Sequence, residues 1–589
     1  VTALAALLAA AKEHLTGGRA GEAVALLERA AALDPGSAGV QANLGHALRR
    51  AGRLAEAEAA LRRAVALDPS MGPAHLALGM AVEQAGRIGE AAEHYRRAVA
   101  LVPDSVQAQT RLGVALLALG DATGAEAAHR AVVAANPAIA EAQVNLAAAL
   151  SAQGRDGEAE AACRRAIGLN PRLALAHAAL GGVLAQQGRH GEALAACRRA
   201  VALDPDLPVA QTNLAGALRL CGLDAEAEAA ARRALALDPG AAAAWRNLGA
   251  ALDAEGRPAA AMEAFDRALA IAPADAEIRF ARALTLLRGG DFGRGLAEYE
   301  WRWDTRAQRA GRRTFAQPQW RGEDVAGRTI LLHAEQGLGD TIQFARYAAL
   351  AAERGARVLL EVQPALVRLL SGLDGVERVL ARGEALPAFD LHCPLLSLPL
   401  ALATTPATIP AAIPYLRAEP ERAAAWRARL EQRPGFRVGI AWQGNPHSIA
   451  DLGRSAPLAA FAPLAAVPGV RLIALQKGPG SEQLAALPAV EDLGNGLDPG
   501  PDAFLDTAAA MMALDLVVSV DTAAAHLAGA LGRPVWIALK SVPDWRWLLD
   551  RADTPWYPTA RLFRQRQPGD WPGVFAAIAA ALKAEVESR

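Results

Sequence analysis

The first half of the chain has a period of 34 residues. Prolines fall at 35, 69, 103, 137, 171, 205, 239 and 273, and every interval is 34. Glycines keep the same spacing at 18, 52, 86, 120, 154, 188, 222, 256 and 290. Alanine holds 23, 57, 91, 125, 159, 193, 227 and 261, and leucine holds 44, 78, 112, 146, 180, 214 and 248. A unit this short cannot bury an apolar face alone, so copies must stack. Each recurring residue has a mechanical role. The glycine is expected to end the first helix of a pair, where a C-cap asks for positive φ. The alanine lets two helices approach. The proline, often after Asp or Asn, is expected to punctuate the connection and to set φ at a helix start. Eight repeats cover about residues 4–275. A ninth, from about 276, runs into "GDFGRGLAEYEWRW" and lacks its proline, as expected where a solenoid caps itself or docks on a neighbour.

This pattern resembles the tetratricopeptide repeat. The resemblance implies an α-solenoid over 1–303 with a concave groove that holds another polypeptide. Asn43, Asn145, Asn213 and Asn247 stand just before the recurring leucine. They resemble the asparagine ladder of the O-linked N-acetylglucosamine transferase superhelix, which contacts peptide backbone. An amide side chain offers both donor and acceptor, so it pairs with any peptide unit. Ala77, Arg111 and Ala179 interrupt the series, and tolerance of Asn on the first helix is the competing reading.

The formal net charge is −1, so no global field recruits nucleic acid. Lysine occurs only at 12, 477, 540 and 583. Cys163, Cys197, Cys221 and Cys393 lack metal-ligand spacing and read as buried thiols in a reducing compartment. The opening "VTALAALLAAAKEHL" has no basic n-region and belongs to the first repeat, so a signal peptide is not expected. Residues 391–416 carry no Asp, Glu, Lys or Arg but contain five prolines, which a spanning helix tolerates poorly. A cytoplasmic, soluble protein without a transmembrane segment is the expectation.

After an Arg-rich connector (304–327) the pattern changes. "RTILLHAE" reads as a strand, "QGLGD" as a turn, "TIQFARYAALAAERG" as a helix and "ARVLLEV" as the next strand. That is a βαβ unit with a right-handed crossover. "VERVLA" and "FDLHCPL" read as further strands and "PERAAAWRARLEQ" as a helix. A second set follows: strands "FRVGIAW", "VRLIALQ", "VEDLG", "LDLVVSV" and "PVWIAL", helices "DAFLDTAAAMMA" and "DTAAAHLAGALG", and a closing helix at about 569–586. Two doubly wound, Rossmann-like halves, 328–434 and 435–589, facing a cleft make the GT-B arrangement the expected α/β fold. Ligands bind such sheets beyond the carboxyl ends of the strands, at the switch points.

Two motifs fall there. In "SVDTAAAHLAGALG" a helix start near Asp521 or Thr522 would point the amides of Thr522, Ala523 and Ala524 into the cleft, a ready anion site. His526, one turn on, is placed to reach a phosphate or sugar hydroxyl. Ordinary capping with a packed core histidine is the alternative. In "GLGD", Gly337 and Gly339 would let a ligand approach, and Asp340 starts the helix. The third glycine of a dinucleotide fingerprint is absent.

From about 328 onward the chain resembles the ADP-heptose:lipopolysaccharide heptosyltransferases. It resembles still more the bacterial proteins that fuse repeats to such a domain. The matching segments are "AEQGLGDTIQFARY", "DLVVSVDTAAAHLAGALGRPVW" and "DWRWLLDRADTPWYPTARLFRQ". The resemblance implies that Asp521, Thr522, Ala523 and His526 bind a nucleotide diphosphate, with Ala523 in place of the usual glycine. It implies Asp340 as general base, taking the proton of the attacking hydroxyl. A carboxylate that only caps its helix is the alternative. Arg454 is the candidate for the phosphate-neutralising cation of "AWQGNPHSIADLGRS". Gln443, Asn445 and His447 are candidate cleft residues beside it, and Gln476 and Lys477 end another strand on the same side. "DWRWL", 544–548, shapes the nucleotide pocket or anchors the closing helix. GT-B enzymes generally work without bound metal, and no D-x-D motif or His/Cys cluster argues otherwise. The function implied is metal-independent transfer of a sugar from a nucleotide-sugar, the donor substrate, to a hydroxyl on a protein held by the repeats. Flagellin or another surface protein suits such an acceptor. The rivals are a lipopolysaccharide or capsule transferase whose repeats recruit partners, and a protein-binding scaffold with an inactive transferase-like domain.

Overall fold

The structure, a computed structural model, describes residues 2–446 and 451–588. Among these, eighteen paired helices run from Thr2–Thr16 to Phe292–Tyr299. The first helix of each pair ends on the recurring glycine, and all nine of these glycines have φ between 74° and 86°. The residue after the glycine then donates back across the helix end. Arg53 N–H reaches the Leu48 carbonyl at 2.9 Å and Arg155 N–H the Leu150 carbonyl at 3.0 Å. Only a left-handed residue closes that loop without a Cβ clash. The recurring alanines, Ala23 through Ala261, are fully buried where the two helices of a pair meet.

The recurring proline does not start a helix. It sits in the turn between pairs, one residue past the residue that ends the second helix, which is Asp or Asn in six of the eight repeats and Val102 or Ala272 in the others. That Asp or Asn folds an Asx turn: Asp68 Oδ1 accepts from Ser70 N–H at 2.9 Å and Asn170 Oδ1 from Arg172 N–H at 3.1 Å. The proline carbonyl is taken by a side chain six residues on. Gln109 Nε2 donates to Pro103 O, Gln211 Nε2 to Pro205 O and Arg279 Nε to Pro273 O.

Beyond the helices lie two all-parallel sheets. The first holds β1 (Thr329–His333), β2 (Arg357–Val362), β3 (Val376–Ala381) and β4 (Leu391–Pro394), in the order β3-β2-β1-β4. The second holds β5 (Phe436–Ala441), β6 (Val470–Ala474), β7 (Val490–Asp492), β8 (Leu516–Val520), β9 (Val535–Leu539) and β10 (Ala560–Arg564), in the order β10-β9-β8-β5-β6-β7. β1, β8 and β9 are buried along their whole length, which is why they read as unbroken apolar runs. Sequence reading omits β10, whose "ARLFR" begins and ends in half-polar company. It also takes 341–355 as one helix. Two short ones are present, Leu338–Phe344 and Tyr347–Glu353, and at the break Arg346 Nε donates to the Gln343 carbonyl at 2.9 Å.

By its contacts the chain divides into two compact units. One comprises 1–221 with 229–239, the other 222–228 with 240–589. The division lies well before 303, where the repeat pattern fades. Within the second unit the last helix pair shares one core with the sheets: Leu287, Phe292, Leu296 and Tyr299 pack with Ile330, Trp545 and Trp556. Repeat turns also touch sheet loops. Arg288 Nε donates to the Pro543 carbonyl at 2.8 Å, and Gly222 and Gly256 lie against Leu452 and Val542. The decayed ninth repeat therefore docks rather than caps. No helix among the described residues is long and apolar enough to cross a membrane.

Candidate functional site

Strand order locates the site. In the first sheet the chain moves from β1 outward to β2 and β3, then returns to place β4 on the other side of β1. In the second it moves from β5 to β6 and β7, then places β8 on the other side of β5. At each reversal the loops beyond the strand ends diverge and leave a crevice. The loops after β1, β5 and β8 enclose one cleft of about 680 Å³. Gly337, Gly339, Asp340, Gln443, Asn445, Arg454, Gln476, Lys477, Asp521, Thr522, Ala523, Ala524 and His526 all line it. His447 lies outside the described residues.

On the β8 side, the helix Ala523–Ala530 begins one residue past the later of the two expected starts, with Thr522 as its extended N-cap at φ −139° and ψ 173°. The amides of its first turn have no carbonyl four residues back within the helix. Thr522 Oγ1 and Ser519 Oγ are 2.9 Å apart. Asp521 is 7% exposed; burial first, and then the charge of Asp544, pushes its carboxyl above the usual range. His526 is both things the sequence offered, a cleft-lining group and a packed core residue. Its ring stacks on Trp547 with centroids 5.3 Å apart, and its Nδ1 lies 3.0 Å from the Tyr557 hydroxyl. Burial, reinforced by Arg546, lowers its pKa to about 3, so it works as a neutral imidazole.

On the β1 side, Asp340 occupies the third position of its helix. Its Oδ2 accepts the Gly337 N–H at 2.9 Å, the returning half of a capping box. Its Oδ1 accepts from Arg546 Nη2. Gly339, which lines the cleft, also lets a helix approach: a Cβ there would lie 3.2 Å from Ala523 Cα and from His526 Cδ2.

The floor beyond β5 and β6 is held by amides. Gln476 Oε1 accepts from the backbone N–H of Trp442 and Gln443, at 3.1 and 3.0 Å, and its Nε2 donates to the Pro479 carbonyl at 2.8 Å. Gln476 is thus a scaffold for the loop as well as a lining residue. Arg454 Nε pairs with Asp451 at 3.3 Å, and Lys477 Nζ donates to the Asp498 carbonyl.

The residue that sequence reading passed over is Arg546. It carries no role of its own in "DWRWL", yet it spans the cleft. Nη1 bonds Asp544 at 2.8 Å, Nε bonds Gln343 Oε1 at 2.8 Å and Nη2 bonds Asp340. Burial opposes the charge of Asp544, but Arg546 prevails and holds that carboxyl below the usual range. The available signal was an arginine between two tryptophans, a setting that strips water from a guanidinium.

The four candidate groove asparagines are not equivalent. Asn43 is exposed and Asn145 half-buried. Asn213 spends a donor on the Ala178 carbonyl at 2.9 Å. Asn247 is 5% exposed.

Models of the tetratricopeptide repeat match residues 14–81, 76–138, 110–174, 174–207 and 225–276. Protein FlbA of Caulobacter vibrioides is 31% identical over 333 residues, which are 52% of this chain and 55% of that protein. The chain thus spans about half the length of the curated relative it matches. Among solved structures, the APC/C hetero-tetramer Cut9–Hcn1 is 17% identical, with 48% of this chain and 55% of that one covered and a TM-score of 0.36. A tetratricopeptide repeat protein from Parabacteroides merdae is 16% identical, with 43% and 100% covered and a TM-score of 0.38. YrrB, described as a tetratricopeptide repeat protein with an unusual peptide-binding site, is 22% identical, with 31% and 95% covered and a TM-score of 0.29.

Proposed function

We propose that this chain, a tetratricopeptide-repeat array continued by two parallel α/β sheets, is a metal-independent glycosyltransferase of GT-B arrangement. Residues 304–327 form its connector, 328–434 the acceptor side and 435–589 the nucleotide-sugar side. One observation carries the reading: loops from the switch points of two separate sheets converge on one cleft, with Asp340 on one wall and the Ala523–Ala530 helix start on the other. A nucleotide-sugar diphosphate at Thr522 meets the amides and positive end of that helix, with Arg454 near. The acceptor hydroxyl attacks the anomeric carbon. The new C–O bond forms as the bond to the diphosphate breaks. The diphosphate leaves with the electron pair, and the hydroxyl proton passes to Asp340. Repeats of this kind bind proteins or peptides, so the acceptor is a protein.

The test is a panel of nucleotide-sugars incubated with the full chain, reading released nucleoside diphosphate by mass spectrometry. One donor is expected to turn over, and Asp340→Asn to stop turnover while donor still binds. Turnover that survives Asp340→Asn removes the base. A second reading is favoured by the same carboxylate: both oxygens of Asp340 are already engaged, as in a purely structural cap. An inert domain on a protein-binding scaffold would turn over no donor and bind none.

A further inference from the structure

The inference rests on the cleft being a donor site. We infer that Arg546 is a positioning residue that exchanges partners: a diphosphate seated at Thr522 competes with Asp340 for its guanidinium, so donor binding and release of the base are one event.

The geometry is that of a shared clamp. Arg546 stands on the turn Trp545–Trp547 after β9, and its side chain crosses to the wall of β1. The guanidinium lies 5.3 Å from the Phe344 ring centroid and 5.0 Å from that of Trp545, which confines it to one plane. Asp544 and Gln343 fix two of its edges at 2.8 Å each. The third edge faces Asp340, whose side chain is 23% exposed against 8% for Arg546. Asp340 is therefore the partner that can move. Losing it leaves Arg546 neutralised by Asp544, so no buried charge is orphaned by the exchange. A diphosphate as a whole carries more charge than a carboxylate, and its paired oxygens accept the same fork of donors. Of the other cations of the wall, Arg454 pairs with Asp451 through Nε and Lys477 donates to the Asp498 carbonyl, and each keeps further N–H donors for an arriving anion. Once released, Asp340 still holds the Gly337 N–H through Oδ2. It stays aimed while Oδ1 becomes free to take a proton.

The consequence is a linkage between the charge of Asp340 and the affinity of the cleft for an anion. Removing the charge of Asp340 removes the competitor, so diphosphate should bind more tightly. Isothermal titration of UDP, ADP and GDP into the full chain tests this. At pH 7.5 the accepted nucleotide is expected to bind Asp340→Asn at least threefold more tightly than wild type. Arg546→Lys, which cannot present the fork, should weaken it tenfold or more. If wild type binds and Asp340→Asn binds equally or less well, the exchange is overturned while the donor site stands. If wild type binds none of the three, the donor-site reading fails and the exchange with it. Because Arg546 is buried, a melting curve accompanies Arg546→Lys; Asp340→Asn, partly exposed, decides the question alone.

Discussion

A Cβ placed on Gly79 would lie 2.6 Å from the Tyr95 ring. The same confrontation recurs between residues sixteen apart in other pairs. Gly45 faces Leu61, Gly113 faces His129, Gly181 faces Cys197 and Gly249 faces Phe265. Where the small position is Ala147 or Ala215, the residue sixteen on is Cys163 or Ala231. In the five glycine pairs the missing Cβ makes room for the facing side chain. The strict columns of glycine, alanine and proline are plain in the sequence. This pair of columns is not, because neither member is constant. Gly79→Ala should cost about 1–3 kcal/mol, since the ring must leave its rotamer. Gly89→Ala, with nothing within 4 Å, should be neutral or stabilising by about 0.5–1 kcal/mol. Urea unfolding of both variants decides it, and equal effects would contradict the packing account. His526 makes a pH prediction. Unfolded, an imidazole binds its proton near pH 6.5; folded, this one does so only near 3. Its contribution is intact above pH 6.5 and is lost as pH falls, because the unfolded chain then binds the extra proton. At pH 5 the loss is about 2 kcal/mol. The stability gap between wild type and His526→Gln, measured by denaturation, should narrow by that amount between pH 7.5 and pH 5. A gap that ignores pH would refute it.

Elements show what periodicity can and cannot convey. The alternation of apolar runs and small-residue helices makes β1, β5, β6, β8 and β9 legible, and with them the loops that meet at the cleft. Asp340 and Thr522 stand at the helix starts that follow β1 and β8, and the base role of Asp340 is what the resemblance to the heptosyltransferases implies. Tertiary reach is not legible in this way. Arg546 and Asp340 are separated by 206 positions, and no local pattern announces their pairing. The role of Gly339 likewise depends on a helix that arrives almost two hundred residues later. Gly339→Val should wedge the Leu338–Phe344 helix away from Ala523–Ala530. Donor turnover should fall at least tenfold while the melting temperature drops by only a few degrees. Unchanged turnover would show that the two helices need not touch for the site to work. The misplaced proline role has a local cause: Asp-Pro can open a helix or close an Asx turn, and the side chain six residues on, which holds the proline carbonyl, supports the turn.

At the scale of the molecule, the end of the repeat array is part of the α/β core. Phe292 and Tyr299 lie 5.8 and 6.2 Å from the Trp545 ring, next to the arginine that reaches Asp340. Gln336, on the cleft wall, donates to the Tyr299 hydroxyl at 3.2 Å. A fragment of 304–589 would bare this surface and should aggregate. A fragment of 240–589 should remain soluble and melt cooperatively, as light scattering and calorimetry would show. A well-behaved 304–589 would contradict the shared core. The central claim is that the Thr522 turn receives a diphosphate across from Asp340. A crystal of the full chain grown with its accepted nucleoside diphosphate tests it most directly. The account predicts phosphate oxygens within ~3.2 Å of the amide nitrogens of Ala523 or Ala524. Density for the nucleotide elsewhere on the chain, with those amides facing only protein, would contradict it.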